Sequence, residues 1–327
     1  MNHILRYGSI DRIPMYNCSA RTPDQWTLET GEPQPIIGPL QVAYGIIVLT
    51  LYIPIALIML EKENYKLTSF KIMFQLAITD IIGISINSVL TGILAIQGAV
   101  FCTYPTFIYL SGLFVMCLWC LTCLTSLILV CNRLLIFFNP NIEAQLFEGR
   151  KTFIILGFSL VYGGYFLFTT PHVYNSKHLA WFFDPMIFPG RAHDYDNFSH
   201  AFNNFSIVAI TCVLYIPFYE IVRKRLKDAH SHSRAQNMKL QVFIQSVLIC
   251  IATQIASIIY VFMNLFKVST CVILIGHALW QFVQGAPVFI YIGLNEQIRK
   301  RFFQLLRCHG NGVGSSVRFV ANPSVFS

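Results

Sequence analysis

The sequence predicts an all-α protein: a bundle of seven membrane-spanning helices, followed by a short amphipathic helix on the inner surface. Two observations predict it. The 327-residue chain holds seven long apolar stretches, at 38–60, 72–96, 105–138, 152–171, 205–222, 240–266 and 270–293. The Lys and Arg residues of the connecting segments fall overwhelmingly on alternate sides of those stretches. Each stretch supplies about the ~20 mainly apolar residues that carry a helix across ~30 Å of hydrocarbon. Water-soluble helices would show a polar stripe every three to four residues, and these mostly do not. The chain is 55% hydrophobic and 12% charged, with a mean hydropathy of +0.59, against roughly 25% charged in soluble domains. Length alone would suggest two soluble domains; the composition replaces them with one membrane unit.

Along the chain, residues 1–37 read as an outer tail, 38–306 as the seven-span unit with its amphipathic helix, and 307–327 as an inner tail. The third stretch is longer than a crossing requires and should tilt or project. The residues before Gly31 and after Cys308 are largely polar and are expected to be mobile. Orientation follows from the basic residues. With the N-terminus outside, the outer segments hold only Arg6, Arg12, Arg21, Lys177, Arg191 and Lys267 of the 23 Lys and Arg. The third inner loop alone carries Arg223, Lys224, Arg225, Lys227, Arg234 and Lys239. Acidic residues divide evenly, so the bias is a Lys/Arg effect. The net charge of +8 is then a product of topology, and no basic polar face of the kind that binds nucleic acid is visible. The expected location is the plasma membrane, multi-pass. Met1–Asp11 lacks the apolar core of a cleavable signal, so the first span is expected to direct insertion.

Three N-x-[ST] triplets fall on the predicted outer side, at Asn17, Asn197 and Asn204. Asn17 and Asn197 are the candidate glycosylation sites, because Asn204 lies nearly at the membrane surface. Of ten cysteines, only Cys18, Cys102 and Cys271 lie in or near an oxidising exterior. Cys102 is expected to pair with Cys18, with Cys271 as the competitor. Cys117, Cys120 and Cys123 have a spacing that can ligate metal, but inside a span small apolar thiols suit helix packing. His230 and His232 with Asp228 read as a solvated loop. No metal or other cofactor is expected.

Three motifs lie within the bundle. Asn132-Arg133, with Pro140 seven residues after the arginine, ends the third span. The arginine there can snorkel to the inner surface or offer hydrogen bonds to a partner's helix end. Asp80, in Leu76-Ala-Ile-Thr-Asp80, is the only acidic residue deep in a span. Burying it costs about 2.5–3.5 kcal/mol on insertion scales, so it should face the interior with a partner. In Gly285-Ala286-Pro287, followed by Tyr291, the proline should kink the seventh helix. The segment from Asn295 to Leu306 separates basic from apolar faces, as an inner-surface helix does, and Cys308 after it is a candidate lipidation site.

These motifs resemble those of rhodopsin-like G-protein-coupled receptors: the Asp/Glu-Arg-Tyr region, the Leu-Ala-x-x-Asp motif and Asn-Pro-x-x-Tyr. Asn132 stands for the acid, Leu134 for the tyrosine and Ala286 for the asparagine, and Tyr291 is one residue late. A neutral Asn132 cannot hold Arg133 in a salt bridge. Finer resemblance is to nematode serpentine receptor class T. It is carried by Tyr16-Asn-Cys-Ser19 with Thr22-Pro-Asp-Gln-Trp26, Leu51-Tyr-Ile-Pro54, Gly98-Ala-Val-Phe-Cys102-Thr-Tyr-Pro105, Asn132-Arg133 and the stretch 287–299. The resemblance implies a chemosensory receptor that passes binding of an external small molecule or peptide to a heterotrimeric G protein. Asn132 and Arg133 would lie at the coupling site, and Asp80, Pro287 and Tyr291 would form an interior polar switch. Partners would be that G protein, the unknown ligand and membrane lipid. No ligand-binding residue is singled out: Trp119, His277, Trp280 and Gln281 suit a pocket, and core packing accounts for each.

Two other classes compete. A transporter or channel would show repeated halves, interrupted helices or several intramembrane charges. An enzyme would need a metal or nucleophile constellation at one depth, and the nine histidines are scattered. The seventh span has no interior lysine for a retinal Schiff base.

Overall fold

The computed structural model describes residues 2–227, 234–266 and 268–310. Asp228, His230, His232 and Lys267 therefore lie outside the described residues, as does the tail from residue 311. Among the described residues, seven helices are long and apolar enough to cross a bilayer. The helices run Ile37–Leu60, Thr68–Gln97, Pro105–Phe138, Lys151–Phe168, Phe198–Lys227, Arg234–Leu265 and Thr270–Leu294. The first follows Pro35 and is apolar all round, so lipid and protein both accept its surface. Pro54, Pro217 and Pro287 lie inside the first, fifth and seventh helices, where neighbouring helices can absorb the lost backbone bond.

The third span is the most buried of the seven. The second, fourth, fifth and sixth pack directly on it, and the seventh closes the ring against the first and second. Small and thiol side chains suit that central position: Ser111, Gly112, Cys120, Cys123, Thr125 and Ser126 are all buried. The helix Glu296–Gly310 follows the seventh span after a break at Asn295 and packs on the first. Its Arg301 pairs with Glu61 at 2.6 Å, and Gln297 hydrogen-bonds Asn64.

The second span departs from regular α geometry. Ser85–Leu90 form a π-helical turn, and the widened spiral lets the Thr91 hydroxyl reach the carbonyl of Ile86 at 3.0 Å. The turn sits among polar residues: Ser88 donates to the Gln41 carbonyl at 2.6 Å. Periodicity alone carries no signal for such a turn. The span ends on Gly98, whose φ of +69° is the left-handed conformation glycine adopts freely.

The tail differs from the expectation of a mobile segment. Residues 2–30 fold into two short helices and two 3-10 turns. Thr22 and Gln25 form a reciprocal capping box. Ile10, Ile13, Tyr16 and Trp26 are buried, and Tyr16 meets Phe101, Tyr109 and Tyr195 edge-on at 5.1–5.6 Å. The polar average of the tail hides these four apolar anchors. Between the fourth and fifth spans, Val173–Asn175 pairs antiparallel with Ala180–Phe182. The hairpin lies over the tail end of the bundle, tied down by Trp181 Nε1 to Thr91 Oγ1 at 2.9 Å and Ser176 N to Ala99 O at 3.1 Å.

The hairpin descends onto the third span at Gly112, where an added Cβ would fall 1.6 Å from the His172 carbonyl oxygen. Gly112→Ala should therefore destabilise by about 1–3 kcal/mol, as overpacking does. Gly157→Ala, where nothing lies within 4 Å, should leave stability level or raise it. Thermal midpoints of the two variants in detergent check this; equal midpoints would mean the hairpin does not press on the helix.

Candidate functional site

At the tail end, the hairpin and the fifth, sixth and seventh spans enclose a cavity of about 720 Å³. His172, Trp181 and Phe183 come from the hairpin segment, His200 from the fifth span, Tyr260 and Met263 from the sixth, and Ile273 and His277 from the seventh. None of the described residues that line it is Asp, Glu, Lys or Arg. Beneath lies Trp280, edge-on to Trp119, Tyr260 and His277 at centroid distances of 6.0–6.3 Å. Trp119 is held in turn by Asn204, whose Oδ1 accepts its indole N–H at 3.0 Å. Burial, and secondly the nearby His200, push the His172 imidazole well below its ordinary pKa, so it is neutral.

Of the residues that suit a pocket by sequence, His277 lines the cavity, while Trp119 and Trp280 are buried behind the lining, against Tyr260 and His277. Gln281 stands behind His277 and donates to the Asn87 carbonyl at 2.8 Å. His172, His200 and Tyr260 carry as much of the wall and have no sequence signature, because a buried histidine looks like any other until the fold is known.

Asp80 is fully buried and accepts the Tyr52 hydroxyl at 2.6 Å, which joins the second span to the first. Tyr291 is also fully buried, within electrostatic range of both Asp80 and Arg133. Pro287 lies one turn before it, beside Gln284, whose Oε1 accepts from Asn87 Nδ2 at 3.1 Å. The polar centre therefore includes Asn87, Gln281 and Gln284, and amides on otherwise apolar spans are the sequence signal that marks them.

At the opposite end, Asn132 is fully buried and donates through Nδ2 to Glu143 Oε1 at 2.8 Å. Glu143 sits on the short helix Pro140–Phe147, capped by Asn139, and the same oxygen accepts Thr68 Oγ1 at 2.9 Å. One carboxylate thus bridges the third span, its following helix and the second span. Arg133 is next to this bridge but outside it. Its Nη2 lies 3.8 Å from Met73 Sδ, a weak acceptor, and Gln245 Nε2 of the sixth span lies 3.8 Å from the same sulfur. Among the described residues, no carboxylate is within ion-pair distance of Arg133.

At the tail, Cys18 and Cys102 are joined by a disulfide, and Cys271 is free. Asn17 is half-buried, its Oδ1 accepting from Ser19 N. Asn197 begins the fifth helix: its Oδ1 accepts from His200 N, while its Nδ2 donates to Thr169 Oγ1 and the Thr170 carbonyl at 3.0 and 2.9 Å. A glycan on that nitrogen would replace one of its two hydrogens and so cost at least one of these bonds. Asn204 is fully buried and lies inside the bundle, not at its surface. Cys308 falls in the last helix, and its side chain lies outside the described residues.

The family model for the serpentine type 7TM GPCR chemoreceptor Srt matches residues 3–314. Serpentine receptor class T-55 of Caenorhabditis elegans is 26% identical over 297 residues, covering 89% of this chain and 80% of that receptor. The crystal structure of squid rhodopsin superposes with a TM-score of 0.64 over 84% of this chain and 85% of that one, at 10% identity, which supports the seven-helix fold. The chain belongs to the Srt family of serpentine chemoreceptors and is a multi-pass membrane protein of the G-protein-coupled receptor class.

Proposed function

We propose that this receptor takes an external small organic ligand in the cavity beneath the hairpin and passes the event to a heterotrimeric G protein at the other end. The tail would then face outside at the plasma membrane and the amphipathic helix would lie along the inner surface. The basic bias of the connecting loops supports this orientation. One observation carries the proposal: the sixth helix reaches both ends. Its Tyr260 lines the cavity, and its Gln245 shares Met73 with Arg133. At ~1.5 Å per residue those positions are roughly 22 Å apart on one rigid element. A ligand that favours one tilt of that helix would change what surrounds Arg133, by no more than its differential affinity for the two arrangements.

In this reading Arg133 is the coupling residue, held by a thioether and by packing and so released at small cost. Asn132 has a different part. Through Glu143 it fixes the short helix that follows the third span, a surface on which a G protein would rest. Asp80, Pro287 and Tyr291 would transmit the rearrangement between the two ends. Asn17 would carry a glycan, and Cys308 an acyl chain beside the inner-surface helix.

Arg133→Ala should reach the cell surface at the normal level yet lose most of an evoked response, by about tenfold or more. Cells carrying several G-protein reporters, screened against volatile and water-soluble organic compounds, provide the readout; unchanged signalling removes Arg133 from the mechanism. Glu143→Ala leaves the buried Asn132 amide without its acceptor and should destabilise by about 1–3 kcal/mol. Glu143→Gln, which keeps a carbonyl oxygen in place, should cost less. Equal losses in the thermal midpoints of the two variants would rule out the bridge.

A further inference from the structure

The wall of the cavity has a definite hydrogen-bonding character. Gln281 Nε2 donates to the Asn87 carbonyl, which fixes that atom as the amide nitrogen. It also lies 3.1 Å from His277 Nε2. An amide N–H can only donate, so His277 Nε2 accepts and the ring proton is on Nδ1. A parallel argument applies to His200. Asn204 Oδ1 accepts from Trp119 Nε1 and from Asn203 Nδ2. The Asn204 nitrogen is therefore the atom 3.4 Å from His200 Nε2, and His200 too carries its proton on Nδ1.

Those two Nδ1–H groups are buried and make no hydrogen bond within the protein, and the same is true of Trp280 Nε1–H directly beneath. His200, His277 and Trp280 are 2%, 3% and 2% exposed. A buried donor left unpaired is destabilising, so a molecule that supplies acceptors there gains both affinity and selectivity. Meanwhile none of the described lining residues is Asp, Glu, Lys or Arg, and the His193 side chain, 97% exposed, is turned to solvent beside Asp196. A ligand charge brought here would lose its hydration without an ionic partner. Aromatic side chains make up much of the remaining wall and suit an apolar skeleton.

We infer that the cavity takes an uncharged organic molecule whose recognised group is an oxygen acceptor of the carbonyl type, held by the N–H donors of His200 and His277 with Trp280 beneath. The inference rests on the assignment of this cavity as the ligand site.

Three matched probes of one skeleton test it: acetophenone, with a carbonyl; ethylbenzene, with no polar atom; and 1-phenylethylamine, a cation. Thermal midpoints of the full-length receptor in nanodiscs, followed over a concentration series, give apparent affinities for each. Ile273→Trp, which fills the cavity, corrects for partition into lipid. Acetophenone should raise the midpoint saturably. Ethylbenzene should bind about tenfold more weakly, the equivalent of one net hydrogen bond, and the amine should have no saturable effect. His200→Phe and His277→Phe should each weaken acetophenone about tenfold and leave ethylbenzene unchanged; the wild-type comparison stands by itself if either variant does not fold. Equal affinity for acetophenone and ethylbenzene, or preference for the amine, abolished by Ile273→Trp in either case, would overturn the acceptor inference and leave the site in place. Failure of all three probes, or shifts that Ile273→Trp does not remove, would overturn the site and the inference with it.

Discussion

A hydrocarbon layer offers no water, so a polar side chain on a spanning helix has to find its partner within the protein, on its own helix or on another. The interior of this receptor is organised by that requirement. Asp80 on the second span uses Tyr52 on the first. Gln75 on the second uses Thr125 on the third and Ser159 on the fourth, at 3.1 and 2.7 Å. Asn204 on the fifth uses Trp119 on the third. Such bonds measure about 0.6 kcal/mol each on average in membrane bundles, too little to hold the bundle by itself. Their effect is on register: each fixes which turn of one helix faces which turn of the next. The apolar packing around the third span supplies cohesion, and these pairs select one arrangement from many.

The two ends follow the rule with opposite results. At the end away from the tail, Glu143 accepts from Asn132 Nδ2 and Thr68 together and leaves Arg133 with a sulfur. At the cavity end, His200 and His277 are each satisfied on one nitrogen and not on the other. The shared carboxylate ties the first into a platform next to a loosely held cation. Local incompletion would make the second receptive to the proposed ligand. A receptor needs both, since a site with every bond made internally has nothing left to offer a ligand.

Sequence and structure agree where a pattern extends over many residues. The seven spans were legible because twenty apolar positions in a row admit few alternatives, and Asp80 stood out because one carboxylate in such a run is conspicuous. Features that depend on a single contact were not legible. Glu143 looks like one more loop acid until the helix Pro140–Phe147 turns it back onto Asn132. Asn204 reads as the least accessible sequon because it borders the apolar run, but its full burial is visible only once the fifth helix is seen to begin at Phe198, about two turns earlier than that run. The tail reads as polar because Ile10, Ile13, Tyr16 and Trp26 are diluted among solvated neighbours, and no local period reveals that they share one hydrophobic core.

The covalent link from Cys18 to Cys102 spans 84 residues, and both of the first two spans lie between its ends. During biosynthesis the bond cannot close until a helical pair has been threaded and returned to the starting leaflet. The bond is thus a product of insertion and not a prerequisite for it, and its presence certifies that the first two spans were inserted with the correct parity.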